Sequence, residues 1–223
     1  MPRACVGGEP ASAGRDVAVD AVVLAGGRGA RLGGVDKAAL RVGGGTLLER
    51  LLVALHEAPA VAHTVVVGPR TLPVGGLVLH ALEDPAGSGP VAALGAGMTT
   101  LAAQPRSAGW TLVLAVDQPG AATAVPALVN AVTQAEQTEP DGPVVTQALV
   151  PRDEEGRWQW LLAAYRSGPL RDVLQALPSL SDVAMRRVFG DLRVGDLPLD
   201  SGVLGDIDTP QDLARWRAGS QGR

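Results

Sequence analysis

Lys37 is the only lysine in a chain that carries 18 arginines, and it closes the segment "VLAGGRGARLGGVDK", which holds five glycines. Glycines let the backbone approach a polyphosphate closely and aim its N–H groups at it. The cationic side chains Arg28, Arg31 and Lys37 would then neutralise charge on phosphoryl oxygens during phosphoryl or nucleotidyl transfer. A compact ammonium suits a phosphate, which gives the solitary lysine a chemical reason. Two acidic segments supply the counterpart. Asp117 ends the apolar run "WTLVLAVD", and "DIDTPQDL" near the C-terminus carries Asp206 and Asp208. A lone carboxylate at a strand end is expensive to desolvate unless it holds a cation, and Mg²⁺ is commonly held by one or two carboxylates plus substrate phosphates. A plain turn into the next helix also accounts for "DQP". Likewise, Thr209, Pro210 and Asp212 read as a helix start whose dipole the nearby aspartates would complement.

The glycine segment fits neither of two common phosphate loops. From Gly27 and Gly29, a dinucleotide fingerprint needs a third glycine at position 32, which is Leu32. No G-x-x-x-x-G-K-[ST] pattern can be laid here. The other reactive residue types offer less. His56, His63 and His80 lack metal-ligand spacing, and no serine or cysteine stands beside a base as a covalent nucleophile. Trp158, Trp160 and Tyr165 could line an acceptor pocket or fill a core, and Arg186 and Arg187 could grip an anion or lie in solvent.

These residues need a scaffold that brings strand ends together. "DAVVLAGG", "TVVVGP", "GLVLHAL" and "WTLVLAVDQP" read as buried strands. Between them, "TLLERLLVALHEA" carries a capping box in Thr46 and Glu49, and "GPVAALGAGMTTLAA" reads as a small-residue helix. "AVPALVNAVTQA" continues the alternation, followed by a strand at 143–149 and another in "WQWLLAAYR". Helices are expected in "GPLRDVLQAL" and "SDVAMRRVFGDL", and a last helix after "GDIDTP". Strands alternating with helices predict an α/β fold, a three-layer α/β/α sandwich around a mostly parallel, Rossmann-like sheet. In such sheets ligands bind at the C-terminal ends of the strands, where the glycine segment and Asp117 fall.

The 223 residues suit a single domain, expected over 18–218 behind a disordered tail at 1–17. With 46% hydrophobic and 19% charged residues, a packed core is expected, built on aliphatic side chains because aromatics make up only 3%. A net charge of −4 argues against nucleic acid or a membrane surface as partner. The lone Cys5 fits a reducing cytoplasm, and no run is apolar enough to span a bilayer.

Leu24-Ala25-Gly26-Gly27, followed by Arg31, Gly33-Gly34 and Asp36-Lys37, resembles the signature of the nucleotidyltransferase superfamily, and most closely that of the molybdenum cofactor guanylyltransferases. The resemblance runs over roughly residues 20–217. It implies the fold type of the nucleotide-diphospho-sugar transferases and transfer of GMP from GTP to the phosphate of molybdopterin, with release of pyrophosphate. It further implies that Leu24, Ala25, Gly26, Gly27, Gly34, Lys37, Gly68, Asp84, Gly89 and Asp117 contact the nucleotide. Lys37, Arg31 and Asp117 would act in catalysis, and Asp117 with Asp208 would hold Mg²⁺.

Three positions depart from the family pattern. Gly68 stands where relatives often carry a base-contacting asparagine. Ala93 replaces the last glycine of a G-P-L-x-G segment, and Trp160 replaces a proline; in the acceptor region "ALPSLSD" also lacks the G-x-R segment that relatives often show, which weakens the assignment of molybdopterin more than that of GTP. The resemblance implies GTP and molybdopterin as partners, and a cytoplasmic monomer or weak homo-oligomer is expected. A related enzyme using CTP or another phosphorylated acceptor is the nearest alternative, and a non-catalytic nucleotide-binding module a more distant one. The Gly26-Gly27 doublet, where cytidylyltransferases tend to have alanine and glycine, favours guanine.

Overall fold

Six consecutive apolar or small residues with one aspartate, Val19–Leu24, form strand β1, and every one of them is buried. Such a run is stable only with neighbours on both edges and both faces. In the computed structural model, which describes residues 17–26, 34–69, 78–138 and 146–220, β1 is central. The next elements are the short hairpin β2 (Arg41–Val42) and β3 (Gly45–Thr46), then α1 (Leu47–Glu57), β4 (Val61–Val67) and β5 (Val78–Ala81). They are followed by α2 (Pro90–Ala102), β6 (Trp110–Ala115), α3 (Ala121–Thr138), β7 (Ala148–Val150) and β8 (Leu162–Arg166). The chain continues through α4 (Ser167–Ala176), α5 (Met185–Phe189) and β9 (Val194–Asp196) to α6 (Pro210–Ser220).

Seven of these strands form one sheet in the order β5-β4-β1-β6-β8-β7-β9. β4 and β6 flank β1 in parallel, and β5 joins β4 in parallel. β8 runs antiparallel to both β6 and β7, whereas β9 is parallel to β7. The sheet is mostly parallel and covered on both faces, as an α/β sandwich requires. On one face the alternate β1 residues Val19, Ala21 and Val23 pack with Leu51 and Leu55 of α1 and Val125 and Leu128 of α3. On the other face Val22 and Leu24 meet Leu94 and Met98 of α2, and the same cluster takes in Leu170 of α4 and Phe189 of α5.

Local chemistry explains where elements start. Thr46 accepts from Glu49 N at 3.1 Å and donates its own N–H to Glu49 Oε2 at 2.8 Å, so the expected capping box opens α1. Helix α2 approaches the sheet closely at Gly97, where a Cβ would stand 2.6 Å from Val22 Cγ1. The departure at Ala93 leaves that packing intact, since Ala93 is itself buried.

Several expectations are corrected. The strand expected from Trp158 begins only at Leu162, because Trp158 first bridges back to Arg152. The helix expected across 181–192 is reduced to Met185–Phe189. Asp182, at φ 56°, is left-handed and donates its N–H to Ser88 O at 2.9 Å, which ties this stretch to the start of α2 instead of into a helix. The strand expected at 143–149 is seen as Ala148–Val150, with 143–145 outside the described residues. The tail expected to be disordered lies outside them up to residue 16.

Candidate functional site

Lateral hydrogen bonds continue past the strand ends and hold the C-terminal edge of the sheet together. Gly68 N donates to Ala81 O at 3.1 Å, Ala25 N to Val67 O at 2.8 Å, and Val116 N to Leu24 O at 3.0 Å. The side chains of Leu24 and Ala25 are buried, so these residues face this edge with their backbone. Gly68 crosses the end of β1 so closely that a Cβ would lie 3.1 Å from the carbonyl carbon of Ala25 and 3.2 Å from Gly26 N. That crowding is a physical reason for a glycine at this position.

Asp117 follows β6 on this edge, and its carbonyl accepts from Ile207 N at 2.8 Å. The bond draws the C-terminal segment across the site. A Cβ on Gly120 would run into the carbonyl of Val203, so the same segment packs tightly against the start of α3. Lys37 opens a single helical turn, Lys37–Ala39, whose N-cap Asp36 accepts from Ala38 N at 3.0 Å. The buried Ala38 anchors that turn.

Three residues distant in sequence meet here. Lys37 Nζ donates to Asp117 Oδ2 at 2.8 Å and to Asp208 Oδ1 at 2.6 Å. The lysine side chain is 15% exposed, against 27% for Asp117 and 41% for Asp208. Burial alone would push the ammonium down, but its hydrogen bonds and charge contacts with Asp117 and Asp208 hold it above the ordinary lysine value. Two carboxylates thus meet at one ammonium. Nearby, desolvation, then the charge of Asp208 and of Asp117, push the Asp206 carboxyl up.

Thr209 caps α6, its Oγ1 accepting from Asp212 N at 3.2 Å, while the Asp212 carboxylate accepts from Asp208 N, Thr209 N and the Thr209 hydroxyl. The Asp208 carboxylate is directed at Lys37. Among the described residues no three His, Cys, Asp or Glu side chains cluster as a metal cage. Two hard carboxylates converging on one cationic centre are, however, a donor set that suits Mg²⁺ completed by phosphate oxygens.

The remaining expected residues fall as follows. Gly34 (φ 80°) and Gly89 (φ 94°) are described, and both adopt backbone that favours glycine. Gly27 and Arg31 lie outside the described residues, as does Arg28. Asp84 is exposed, whereas its neighbour Glu83 is buried and points inward. Glu83 Oε1 accepts from Gly87 N at 2.9 Å and lies 3.9 Å from where a Gly26 Cβ would be. Among the described residues its Oε2 has no hydrogen-bond partner. Sequence reasoning passed over Glu83, although "ED" after a strand offers either residue and strand alternation decides which one turns inward.

Tyr165 is fully buried, stacks on Phe189 at 4.6 Å and donates its hydroxyl to Trp160 O at 2.7 Å. Burial pushes its phenol well up. Trp160 stacks on the other partner of that cluster, Phe189, at 5.3 Å, and the Arg152 guanidinium lies 3.6 Å over Trp158. Packing therefore accounts for these aromatics. Arg186 and Arg187 are exposed on α5. His63 binds Asp20 at 2.9 Å at the opposite edge of the sheet. A crevice of about 700 Å³ between the β2–β3 turn, the start of α3 and α6 borders Asp206, but Lys37, Asp117 and Asp208 do not line it.

With this geometry in place, comparison with known proteins gives a consistent placement. Residues 21–195 match the family model described as MobA-like NTP transferase domain. Over 103 residues the chain is 43% identical to a molybdenum cofactor guanylyltransferase of Acidiphilium cryptum, a stretch covering 44% of this chain and 50% of that relative. Thus the match spans about half the length of that curated relative. A molybdopterin-guanine dinucleotide biosynthesis protein A from Archaeoglobus fulgidus superposes with a TM-score of 0.65 at 21% identity, covering 92% of this chain and 100% of that one. A 4-diphosphocytidyl-2C-methyl-D-erythritol synthase from Anaerococcus prevotii reaches 0.62 at 14% identity, over 92% and 97% of the two chains. Both structural likenesses concern the fold.

Proposed function

Because the chain belongs to the MobA-like NTP transferase domain family, we propose that it is a nucleotidyltransferase that moves GMP from GTP to the phosphate of a molybdopterin cofactor. The observation that carries this reading is the convergence of Lys37, Asp117 and Asp208 at the C-terminal edge of the sheet. The names of the relatives supply the choice of acceptor and of guanine.

In the proposed reaction an acceptor phosphate oxygen attacks the α-phosphorus of GTP. A new P–O bond forms as the bond from the α-phosphorus to the bridging oxygen breaks, and that electron pair leaves with pyrophosphate. An acceptor phosphate already ionised at neutral pH needs no general base. Lys37 brings a permanent positive charge to the triphosphate and stabilises the departing pyrophosphate. Arg31 and the glycine-segment amides are proposed to share that task. Asp117 and Asp208 would hold Mg²⁺, which when bound neutralises the reacting phosphoryl oxygens. Glu83 adds a buried carboxylate beside Gly26.

A second reading is cytidylyl transfer. Gly68 presents no side chain that would select guanine at the place where the resemblance puts a base-contacting residue, and a bulkier residue is crowded by Ala25. Pyrophosphate release with molybdopterin and either GTP or CTP decides between them. Release with GTP and Mg²⁺ is expected; release with CTP alone would overturn the choice of guanine, and release with neither would overturn the transfer.

A further inference from the structure

Lys37 has two sets of proposed partners that compete for one ammonium. Its ammonium is hydrogen-bonded to Asp117 Oδ2 and Asp208 Oδ1, yet transfer chemistry asks the same nitrogen to bind a triphosphate. A Mg²⁺ ion binds its oxygen ligands at about 2.0–2.1 Å, so it competes with an ammonium for lone pairs and space at the two oxygens that Lys37 holds. Two cations at such spacing in a half-buried place also repel each other strongly. The lysine is therefore a rival of the metal for the carboxylates as well as a partner of the phosphates.

The surrounding structure allows an exchange. Lys37 sits on one three-residue turn held by Asp36 and Ala38, not within a long helix or strand. Its flexible stem can swing the charge while the turn stays in place. The two carboxylates are anchored independently, Asp117 behind β6 and Asp208 ahead of the Thr209–Asp212 cap. Neither has to move when the lysine leaves.

Resting on the nucleotidyltransferase reading, we infer that Lys37 is a switch that couples the two ligands. In the free protein it holds the oxygens that the divalent cation needs; an arriving triphosphate draws it off and opens them. Metal alone then binds weakly, triphosphate strengthens metal binding, and by linkage metal strengthens triphosphate binding by the same factor. The coupling lives in one side chain.

Because the chain has a single lysine, labelling lysine with ¹⁵N at Nζ gives one side-chain signal in the unmodified protein. Inorganic tripolyphosphate without metal should shift it, and Mg²⁺ alone should not. A second measurement follows free Mn²⁺ by electron paramagnetic resonance. Lys37→Met should bind Mn²⁺ about tenfold or more tighter than wild type, within the range of typical couplings, and adding Asp117→Asn should abolish that gain. Equal or weaker Mn²⁺ binding by Lys37→Met overturns the switch, as does an Nζ signal that ignores tripolyphosphate. If the affinities are equal but Asp117→Asn still loses the metal, the metal assignment stands and only the switch falls. If Asp117→Asn changes nothing in either background, the metal assignment falls and takes the switch with it.

Discussion

The two edges of the sheet each hold a carboxylate in contact with a basic side chain, and they differ in how far solvent reaches them. At the N-terminal edge Asp20, 1% exposed, accepts from Ala108 N at 2.8 Å through one oxygen and meets His63 Nδ1 at 2.9 Å through the other. One carboxylate has a partner for each oxygen. At the C-terminal edge two carboxylates share the Lys37 ammonium, and all three side chains keep some contact with solvent. The first arrangement closes a structure; the second leaves access. A buried, fully partnered group stabilises the fold, whereas charged groups that solvent reaches can exchange partners.

This contrast can be broken by substitution, and the largest effects are expected at the C-terminal edge. Asp117→Asn and Lys37→Met should each lower turnover by about 10²–10³-fold, the loss typical when one charge-stabilising group is removed, while circular dichroism and the melting temperature show an intact fold. Wild-type rates for either would remove that residue from the chemistry. Asp20→Asn should do the reverse. It removes charge-assisted hydrogen bonds to a buried group and should cost about 2–3 kcal/mol in urea denaturation, with turnover per folded molecule unchanged. Gly68→Ala lies between the two behaviours. Its Cβ would press on the Ala25 carbonyl, so a stability loss of about 1–2 kcal/mol should come with weaker nucleotide binding by titration calorimetry.

The smallest effect belongs to a site away from both edges. Thr46→Ala removes the cap of α1 and should cost about 1 kcal/mol in denaturant. The backbone N–H of Thr46, then its hydroxyl, hold the Glu49 carboxyl below the ordinary glutamate value. A lowered acid adds stability above its unfolded value and loses it as pH falls through the folded one. The deficit of Thr46→Ala should therefore be full at neutral pH and shrink below about pH 4, as protonated Glu49 stops accepting in either protein.

Much of the central fold was readable because it is local. The apolar runs of β1, β4 and β6, the Thr46–Glu49 box and the Thr209–Asp212 start are written in neighbouring residues. The far side of the sheet was not. Whether β8 runs antiparallel and whether Val194–Asp196 joins the sheet depend on strands far along the chain. The α5 helix is short because Asp182 bonds to Ser88, 94 positions earlier, which no periodicity reports. In the site, Lys37 and Asp117 stood out by type and position, yet their contact spans 80 residues and that with Asp208 spans 171. The inward turn of Glu83 beside an outward Asp84 likewise needs the register of β5.

The most direct test of the central claim is a thermal-shift panel of GTP, CTP and ATP on wild type and Asp117→Asn, with and without Mg²⁺. Ligand at about a hundredfold excess over its Kd adds roughly 2.7 kcal/mol, or on the order of 5–10 °C for a chain of this size. The account predicts that GTP with Mg²⁺ raises the wild-type melting temperature by that amount, that GTP alone does markedly less, and that Asp117→Asn erases the difference. Equal shifts with and without Mg²⁺ in wild type would contradict it.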